Sequence, residues 1–442
     1  MAALRPLTVS SPSQGLSGRL TVPGDKSISH RALMLAALAK GVTRIYGLLE
    51  GEDVICTAKA VEALGARVER GADFWEVEGV GIGCLKEPEN VLDMGNSGTA
   101  ARLLSGVLAT HPINSIMTGD ASLRSRPMGR VSDPLSQTGA QFVTRSGKRL
   151  PMAIIGTGEG LAPHYVLPVA SAQVKSALLL AGLNCQGETC VEEPVPTRDH
   201  TENMLGHFGL KLEVTPAPDG GRVIRFQGPA QLQARDIIVP GDPSSAAFPV
   251  VAALLVPGSE VIIENVGLNL LRTGLFTTLK EMGASLEVRN ETIEGGEKVG
   301  DLYVKASSLR GVTVPAERAP SMIDEYPVLS VACAMAEGTS RLQGLAELRV
   351  KESDRMASTV ALLKENGVDV TVEGDDMIIQ GRPTLIGGGE VKTHMDHRLA
   401  MSGIILGLAA QQPVHIDDTA FIETSFPGFI ELMNRLGAGL KP

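Results

Sequence analysis

A chain of 442 residues, 43% hydrophobic and 20% charged, is too long for one ordinary core and too apolar for disorder. It must divide into two or more domains or form one large repeated architecture. A formal net charge of -10 excludes general adhesion to nucleic acid or anionic membrane, so an anionic ligand has to be met by a local basic cluster. Five cysteines (Cys56, Cys84, Cys185, Cys190, Cys333) without C-x-x-C spacing suggest neither a zinc ribbon nor a disulfide framework and fit a reducing cytoplasm.

In chain order, "MAALRPLTVSSPSQGLSG" carries one arginine and no apolar block, and reads as neither secretory signal nor transit peptide. The longest apolar runs, such as "GIILGLAA" from Gly403, are too short to span a membrane. The first notable stretch is "VPGDKSISHRALMLAALAKG", from Val22 to Gly41, which predicts a strand, a Pro-Gly turn and an apolar helix with Lys26, Ser27, His30 and Arg31 at its head. It has an echo in "VPGDPSSAAFPVVAALLVPG" from Val239 to Gly258. Between and beyond these, a helix ending in glycine and then a strand recurs six times: "VEALGARVE", "LSQTGAQFV", "HFGLKLEV", "LKEMGASLEV", "LKENGVDVTV" and "LMNRLGAGL". A glycine just past a helix C-terminus accepts the left-handed conformation at little cost. The reading is α/β (α+β), six strand and helix units in two lobes. Residues 25-241 form the first lobe and residues 1-24 plus 242-442 the second, with the active site in the cleft between them. "IEGGEKVGD" and "LIGGGEV" read as surface hairpin loops.

Two more apolar helices begin like the first: "NSGTAARLLSGVLA" with Asn96, Gly98, Thr99 and Arg102, and "VASAQVKSALLLAGL" with Ser171, Gln173 and Lys175. The pairs Ser27 and Arg31, Gly98 and Arg102, Ser171 and Lys175 are each four apart, hence on one helical face. Any one of these is compatible with a capping serine beside a solvated base, but three helix N-termini with adjacent cations make an anion cage. It is not a P-loop, since Asp25 rather than glycine precedes Lys26. "GDASLRSRPMGR" adds Arg124, Arg126 and Arg130, and "EPVPTRDHTENML" adds Arg198 and His200, with Asp199 as a possible cap.

Further on, "RAPSMIDEYPVLSVACAMAEG" places Asp324 and Glu325 at the head of a helix. "AELRVKESDRMASTVALL" places Lys351, Glu352 and Arg355 together, compatible with either a structural ion pair or a site. "HMDHRLAMSGII" adds Asp396, His397 and Arg398. Acids among so many cations point to acid/base chemistry on an anionic substrate. No Ser-His-Asp order, Cys-His pair or metal-ligand cluster competes with that reading.

"PGDKSISHR", "GNSGTAAR", "RPM", "SAQVKSALLLAGL", "TRDHTE", "IDEYP", "RVKESDR" and "DHRLAM", in this order from Pro23 to about Pro427, resemble the 5-enolpyruvylshikimate-3-phosphate synthases. "TRDHTE" and "ETSFP" resemble the branch often called class II, with Ser425 where the better-known branch has a lysine and Leu103 where it often has proline. The resemblance implies two lobes, each of three βαβαββ repeats about a pseudo-threefold axis. It implies transfer of the enolpyruvyl group of phosphoenolpyruvate to the 5-hydroxyl of shikimate 3-phosphate through a tetrahedral intermediate that expels phosphate, in aromatic amino-acid biosynthesis. No cofactor and no metal take part, and the expectation is a cytoplasmic monomer inhibited by glyphosate. By motif, Asp324, Glu352 and Lys26 would be catalytic. Lys26, Ser27, Arg31, Ser171, Ala172, Gln173, Arg198, Asp324 and Lys351 would bind shikimate 3-phosphate, and Lys26, Gly98, Arg126, Gln173, Arg355 and Arg398 phosphoenolpyruvate. Asp324 would accept the 5-hydroxyl proton while Glu352 and Lys26 manage the methylene carbon. The alternatives are the enolpyruvyl transferase acting on UDP-N-acetylglucosamine, whose reactive loop cysteine has no counterpart in "GDASLRSRPMGR", and a non-catalytic anion-binding protein on the same scaffold.

Overall fold

The computed structural model describes residues 4–217, 220–351 and 353–441. The chain falls into two compact units: Gly24–Val239 with Ile293–Glu297, and Met1–Pro23, Pro240–Thr292 and Lys298–Pro442.

The first unit contains helices α1 (Lys26–Leu38), α2 (Glu52–Ala63), α3 (Gly98–Ala109), α4 (Ala121–Ser125), α5 (Gly129–Ser136), α6 (Ala172–Gly182) and α7 (His200–His207). Three of them, α1, α3 and α6, are inner helices, buried along almost their whole length in one apolar cluster. Each is followed by a strand at the centre of its own sheet: Ala39–Tyr46, Asn114–Thr118 and Cys185–Glu193. All three central strands pair in parallel with short strands on one side and antiparallel with a hairpin on the other. The short strands beside Ala39–Tyr46 are Leu232–Gln233 and Ile237–Ile238, from the far end of the unit, so its first copy closes on its last.

The second unit contains α8 (Pro243–Leu255), α9 (Gly274–Glu281), α10 (Tyr326–Ala334), α11 (Arg355–Glu365), α12 (His397–Ala409) and α13 (Phe429–Arg435). Its inner helices are α8, α10 and α12, and every residue of α8 and α10 is buried. The N-terminal strand Ser17–Thr21 pairs in parallel with Glu260–Gly267 and completes the sheet after α8. The sixth copy departs from the scheme, because no strand follows α13 among the described residues. Its place is taken by Leu7–Val9, antiparallel to Val414–Ile416.

The repeated turns and glycines have local causes. Asp25 Oδ1 accepts from Ile28 N at 2.9 Å and Asp242 Oδ1 from Ser244 N at 2.8 Å, so both "VPGD" aspartates cap the helix that follows. Gly65, Gly139, Gly209, Gly283, Gly367 and Gly437 lie just beyond the outer helices α2, α5, α7, α9, α11 and α13 with φ between 83° and 103°. Left-handed backbone ends each of these helices and turns the chain back toward its sheet. A second repeated glycine was not read from the sequence. A Cβ on Gly79, Gly156, Gly228 or Gly381 would lie 2.1 to 2.6 Å from a carbonyl oxygen at the C-terminal end of the neighbouring inner helix, so the hairpin strand can approach only as glycine.

Both expected surface hairpins are corrected. "LIGGGEV" is no hairpin: Leu385–Gly387 pairs with Ala410–Gln412 and Glu390–Val391 with Val414–Ile416, all in parallel. "IEGGEKVGD" does turn a hairpin, but its tip is packed, with Glu297 2% exposed and bonded to His200 and Asn203. No helix among the described residues is long and apolar enough to cross a membrane.

Candidate active site

The polar residues singled out above fall into two groups, one in each unit. In the first unit, the heads of α1, α3 and α6 are tied to one another by side chains. Arg31 on α1 donates from Nη2 to Ser176 Oγ on α6 at 2.7 Å. Gln173 on α6 accepts from Arg102 Nη1 on α3 at 2.8 Å and donates from Nε2 to Thr99 Oγ1 at 3.1 Å. His30 Nε2 lies 3.4 Å from Ser97 Oγ, the side chain that caps α3. Three sets of free helix N–H groups are therefore held in one place, with the partial positive charge of three helix ends.

The cations around them are fixed rather than loose. Arg31 is almost fully buried, with Nε donating to Thr201 Oγ1 at 2.7 Å and Nη1 to Ser27 O at 2.8 Å. Burial pulls its guanidinium down to about 10, against the pull of Glu202, so it stays charged at neutral pH. Arg102 is also lowered to about 10, by burial first and then by its like-charged neighbours Arg130 and Arg126. Its Nε has no hydrogen-bond partner among the described residues. Arg126 donates from Nη2 to Asn96 Oδ1 at 2.8 Å and to Ser122 Oγ at 3.0 Å. Lys26 pairs with Asp53 in the first turn of α2. A cluster in which arginines depress one another attracts anions, because a bound anion removes the repulsion.

Gly98 begins α3 against these guanidinium groups: a Cβ there would lie 2.8 Å from Arg102 Nη1 and 3.4 Å from Arg126 Nη1. Ser171 caps α6, accepting from Val174 N at 3.4 Å, and Ala172 is the first residue of that helix. Arg198 lies in the segment just before α7. Asp199 does not cap α7 with its side chain, which is bonded instead to Arg222 Nη1 at 3.1 Å.

The expectation for Lys175 is overturned. Its side chain is fully buried, with Nζ 2.7 Å from Glu202 Oε1 and 3.1 Å from Glu193. It faces carboxylates inside the unit and is no part of an anion cage.

In the second unit, Asp324 sits among three cations. Its Oδ1 is 3.1 Å from Arg355 Nη1 and 3.5 Å from Lys351 Nζ, and its carbonyl accepts from Arg398 Nη1 at 3.2 Å. Arg355 is wholly buried and grips Asp396 as a fork, Nε to Oδ2 at 2.7 Å and Nη2 to Oδ1 at 3.3 Å. Asp396 in turn caps α12, accepting from Arg398 N at 2.9 Å. One aspartate thus sets both Arg355 and the head of the helix that carries Arg398. Arg398 also approaches buried Glu325, at 3.6 Å, and Glu325 accepts from Ser244 on α8. Glu352 lies outside the described residues.

Three supports of these groups had no role assigned to them from the sequence, and of the three Asp53 was not singled out at all. Arg102 was signalled only by its place four residues after Gly98. Asp53 and Asp396 carried no local signal that their partners would be Lys26 and Arg355.

Comparison with known proteins finds similarity over nearly the whole chain. A family model described as EPSP synthase (3-phosphoshikimate 1-carboxyvinyltransferase) matches residues 10–433. A 3-phosphoshikimate 1-carboxyvinyltransferase of Gluconobacter oxydans (strain 621H) is 69% identical over 442 residues, all of both chains. One from Acidiphilium cryptum (strain JF-5) is 64% identical over 441 residues, 100% of this chain and 99% of the relative. A solved EPSP synthase from Acinetobacter baumannii matches with a TM-score of 0.91 at 44% identity, covering 99% of each chain.

Proposed function

This chain belongs to the EPSP synthase (3-phosphoshikimate 1-carboxyvinyltransferase) family, and on that premise we propose that its two groups of polar residues serve a single enolpyruvyl transfer. The reaction moves the carboxyvinyl group of phosphoenolpyruvate to the 5-hydroxyl of shikimate 3-phosphate and releases phosphate. The 5-oxygen bonds to C2 of phosphoenolpyruvate as C3 gains a proton, giving a tetrahedral intermediate. Loss of phosphate from C2 and of a proton from C3 restores the double bond.

The observation that carries the reading is the meeting of three helix heads with Arg31, Arg102 and Arg126, since both substrates bring phosphate and carboxylate charge. Ser27, Arg31, Ser171, Ala172, Gln173 and Arg198 would hold shikimate 3-phosphate, with Lys351 from the second group. Gly98, Arg126, Gln173, Arg355 and Arg398 would hold phosphoenolpyruvate, and Lys26 would touch both substrates. Asp324 would take the 5-hydroxyl proton, a carboxylate held in place by Lys351 and Arg355. Lys26, with Glu352, would serve the methylene carbon. Glyphosate, an anion like phosphoenolpyruvate, would occupy the site of the latter. One chain carries both groups, so a monomer would suffice, and its free cysteines fit a reducing cytoplasm.

The test is release of inorganic phosphate. It should require phosphoenolpyruvate and shikimate 3-phosphate together and stop when UDP-N-acetylglucosamine replaces the latter. Release from phosphoenolpyruvate alone, or none with both substrates, would overturn the reading.

A further inference from the structure

The fully buried Lys175 is unused by the chemistry above. Its ammonium reaches Glu202 Oε1 at 2.7 Å, Glu193 Oε1 at 3.1 Å and the carbonyl of Thr197 at 3.2 Å, so its three protons are all engaged. Glu193, at the end of the central strand Cys185–Glu193, receives Thr197 with its other oxygen, from N at 3.1 Å and from Oγ1 at 2.8 Å. Thr197 is thereby held at its N–H, its carbonyl and its hydroxyl, and the next residue is Arg198. Four residues on, Thr201 accepts from Arg31 Nε at 2.7 Å and donates to Ser176 Oγ at 2.7 Å. The segment from Thr197 to Glu202 is anchored to α6 at both ends, and Arg198 lies between the anchors.

Stability does not account for such a cluster, since an apolar replacement of a buried ion group is often neutral or better. What ions and paired hydrogen bonds supply is a fixed geometry. Arg198 stands near enough to Arg31 to disfavour its charge, and an anion placed between them would relieve that repulsion.

We propose that Lys175, Glu193 and Thr197 form a buried positioning cluster that sets Arg198 beside Arg31 for the phosphate of shikimate 3-phosphate. None of the three is a catalytic residue. The inference rests on the reading of Arg198 as a ligand of that substrate, and the test separates the two.

The variants are Arg198→Ala, Thr197→Val, Thr197→Ser and the double variant Thr197→Val with Arg198→Ala, each assayed for both Michaelis constants, kcat and melting temperature. Arg198→Ala should raise KM for shikimate 3-phosphate and leave that for phosphoenolpyruvate. Thr197→Val removes the hydroxyl bond to a buried carboxylate and should raise the same constant about tenfold with little change in kcat, while the melting temperature falls as the loss of a hydrogen bond to a buried charge requires. Thr197→Ser should restore it. The double variant should be no worse than Arg198→Ala alone, because a residue that acts only through Arg198 has nothing left to act on. Should Thr197→Val fold poorly, Thr197→Ala and Glu193→Gln enter the same cycle. If Arg198→Ala leaves KM for shikimate 3-phosphate unchanged, the ligand reading falls and the inference with it. If Arg198→Ala raises it while Thr197→Val does not, or the two effects add, the ligand reading stands and the positioning role is overturned.

Discussion

Arg355 reaches Asp324 Oδ1 with Nη1 at 3.1 Å while its other two nitrogens clamp Asp396 at 2.7 and 3.3 Å. The planar fork spans two carboxylates that come from segments far apart in sequence and holds one of them bidentately, a grip a lysine ammonium cannot make. Asp324 is therefore oriented by a side chain that is itself buried and held by Asp396.

The first prediction follows for Asp324→Asn. The amide keeps the shape and can still accept from Arg355 and Lys351, but it cannot take a proton. Both Michaelis constants should stay within a few-fold of the parent while kcat falls by roughly 10² to 10⁴, the usual contribution of a general base. Steady-state phosphate release measures it, and turnover within about threefold of the parent would remove Asp324 from that role.

Much of this arrangement was legible because its signals are local. Gly65, Gly139, Gly209, Gly283, Gly367 and Gly437 each announce the end of a helix whatever lies around them. Lys175 shows where local reading stops. It shares a helical face with Ser171, but at a rise of about 1.5 Å per residue it sits roughly 6 Å further along the helix axis from the head. Arg31 and Arg102 reach back up their helices, to Ser27 O and Gly98 O, as side chains that lean toward the N-terminus can. Lys175 instead turns to Glu193 and Glu202, partners that periodicity cannot reveal. The sixth copy escaped for a similar reason, since its antiparallel partner Leu7–Val9 lies at the opposite end of the chain.

The second prediction concerns acid. His30 is fully buried, with Nδ1 2.7 Å from Thr57 Oγ1. Burial, with Lys26 and Arg31, holds its imidazole well below the ordinary histidine value. The unfolded chain therefore binds this proton first, below about pH 6.5, and folding stability is full above that pH and falls beneath it by at most about 1.4 kcal/mol per unit. Buried His111, whose Nε2 accepts from Gly83 N at 3.0 Å, is lowered too and acts in the same direction. Melting temperature should drop between pH 7.5 and 5.5, and His30→Gln should make the drop smaller. An equal drop in parent and variant would show that His30 does not carry it.

Thiol chemistry gives the third. Cys84 is the exposed cysteine, whereas burial pushes the Cys185 thiol up to about 11 and Cys333 up to about 12. A thiolate is the reactive form, so a maleimide at neutral pH should label Cys84 first. Phosphate release should survive that single modification, because no cysteine belongs to either polar group. Loss of activity in step with labelling of Cys84 would contradict the assignment of the site.

The last prediction is set by the space at Gly98. A methyl group there would come within 2.8 Å of Arg102 Nη1, too close to stand, so in Gly98→Ala the end of the arginine must move. That guanidinium also holds Gln173, so the change passes from α3 to the head of α6. Phosphoenolpyruvate should bind less well as a result. Glyphosate is the longer molecule and should lose more, since one added carbon in a packed site is commonly felt as roughly 1 to 3 kcal/mol. The parent, with glycine, should be inhibited. The measurement is the inhibition constant of glyphosate beside the Michaelis constant for phosphoenolpyruvate in parent and Gly98→Ala, with the ratio of the first to the second expected to rise about tenfold. A ratio that does not move would mean that the displaced Arg102 affects both anions alike and that position 98 does not discriminate between them.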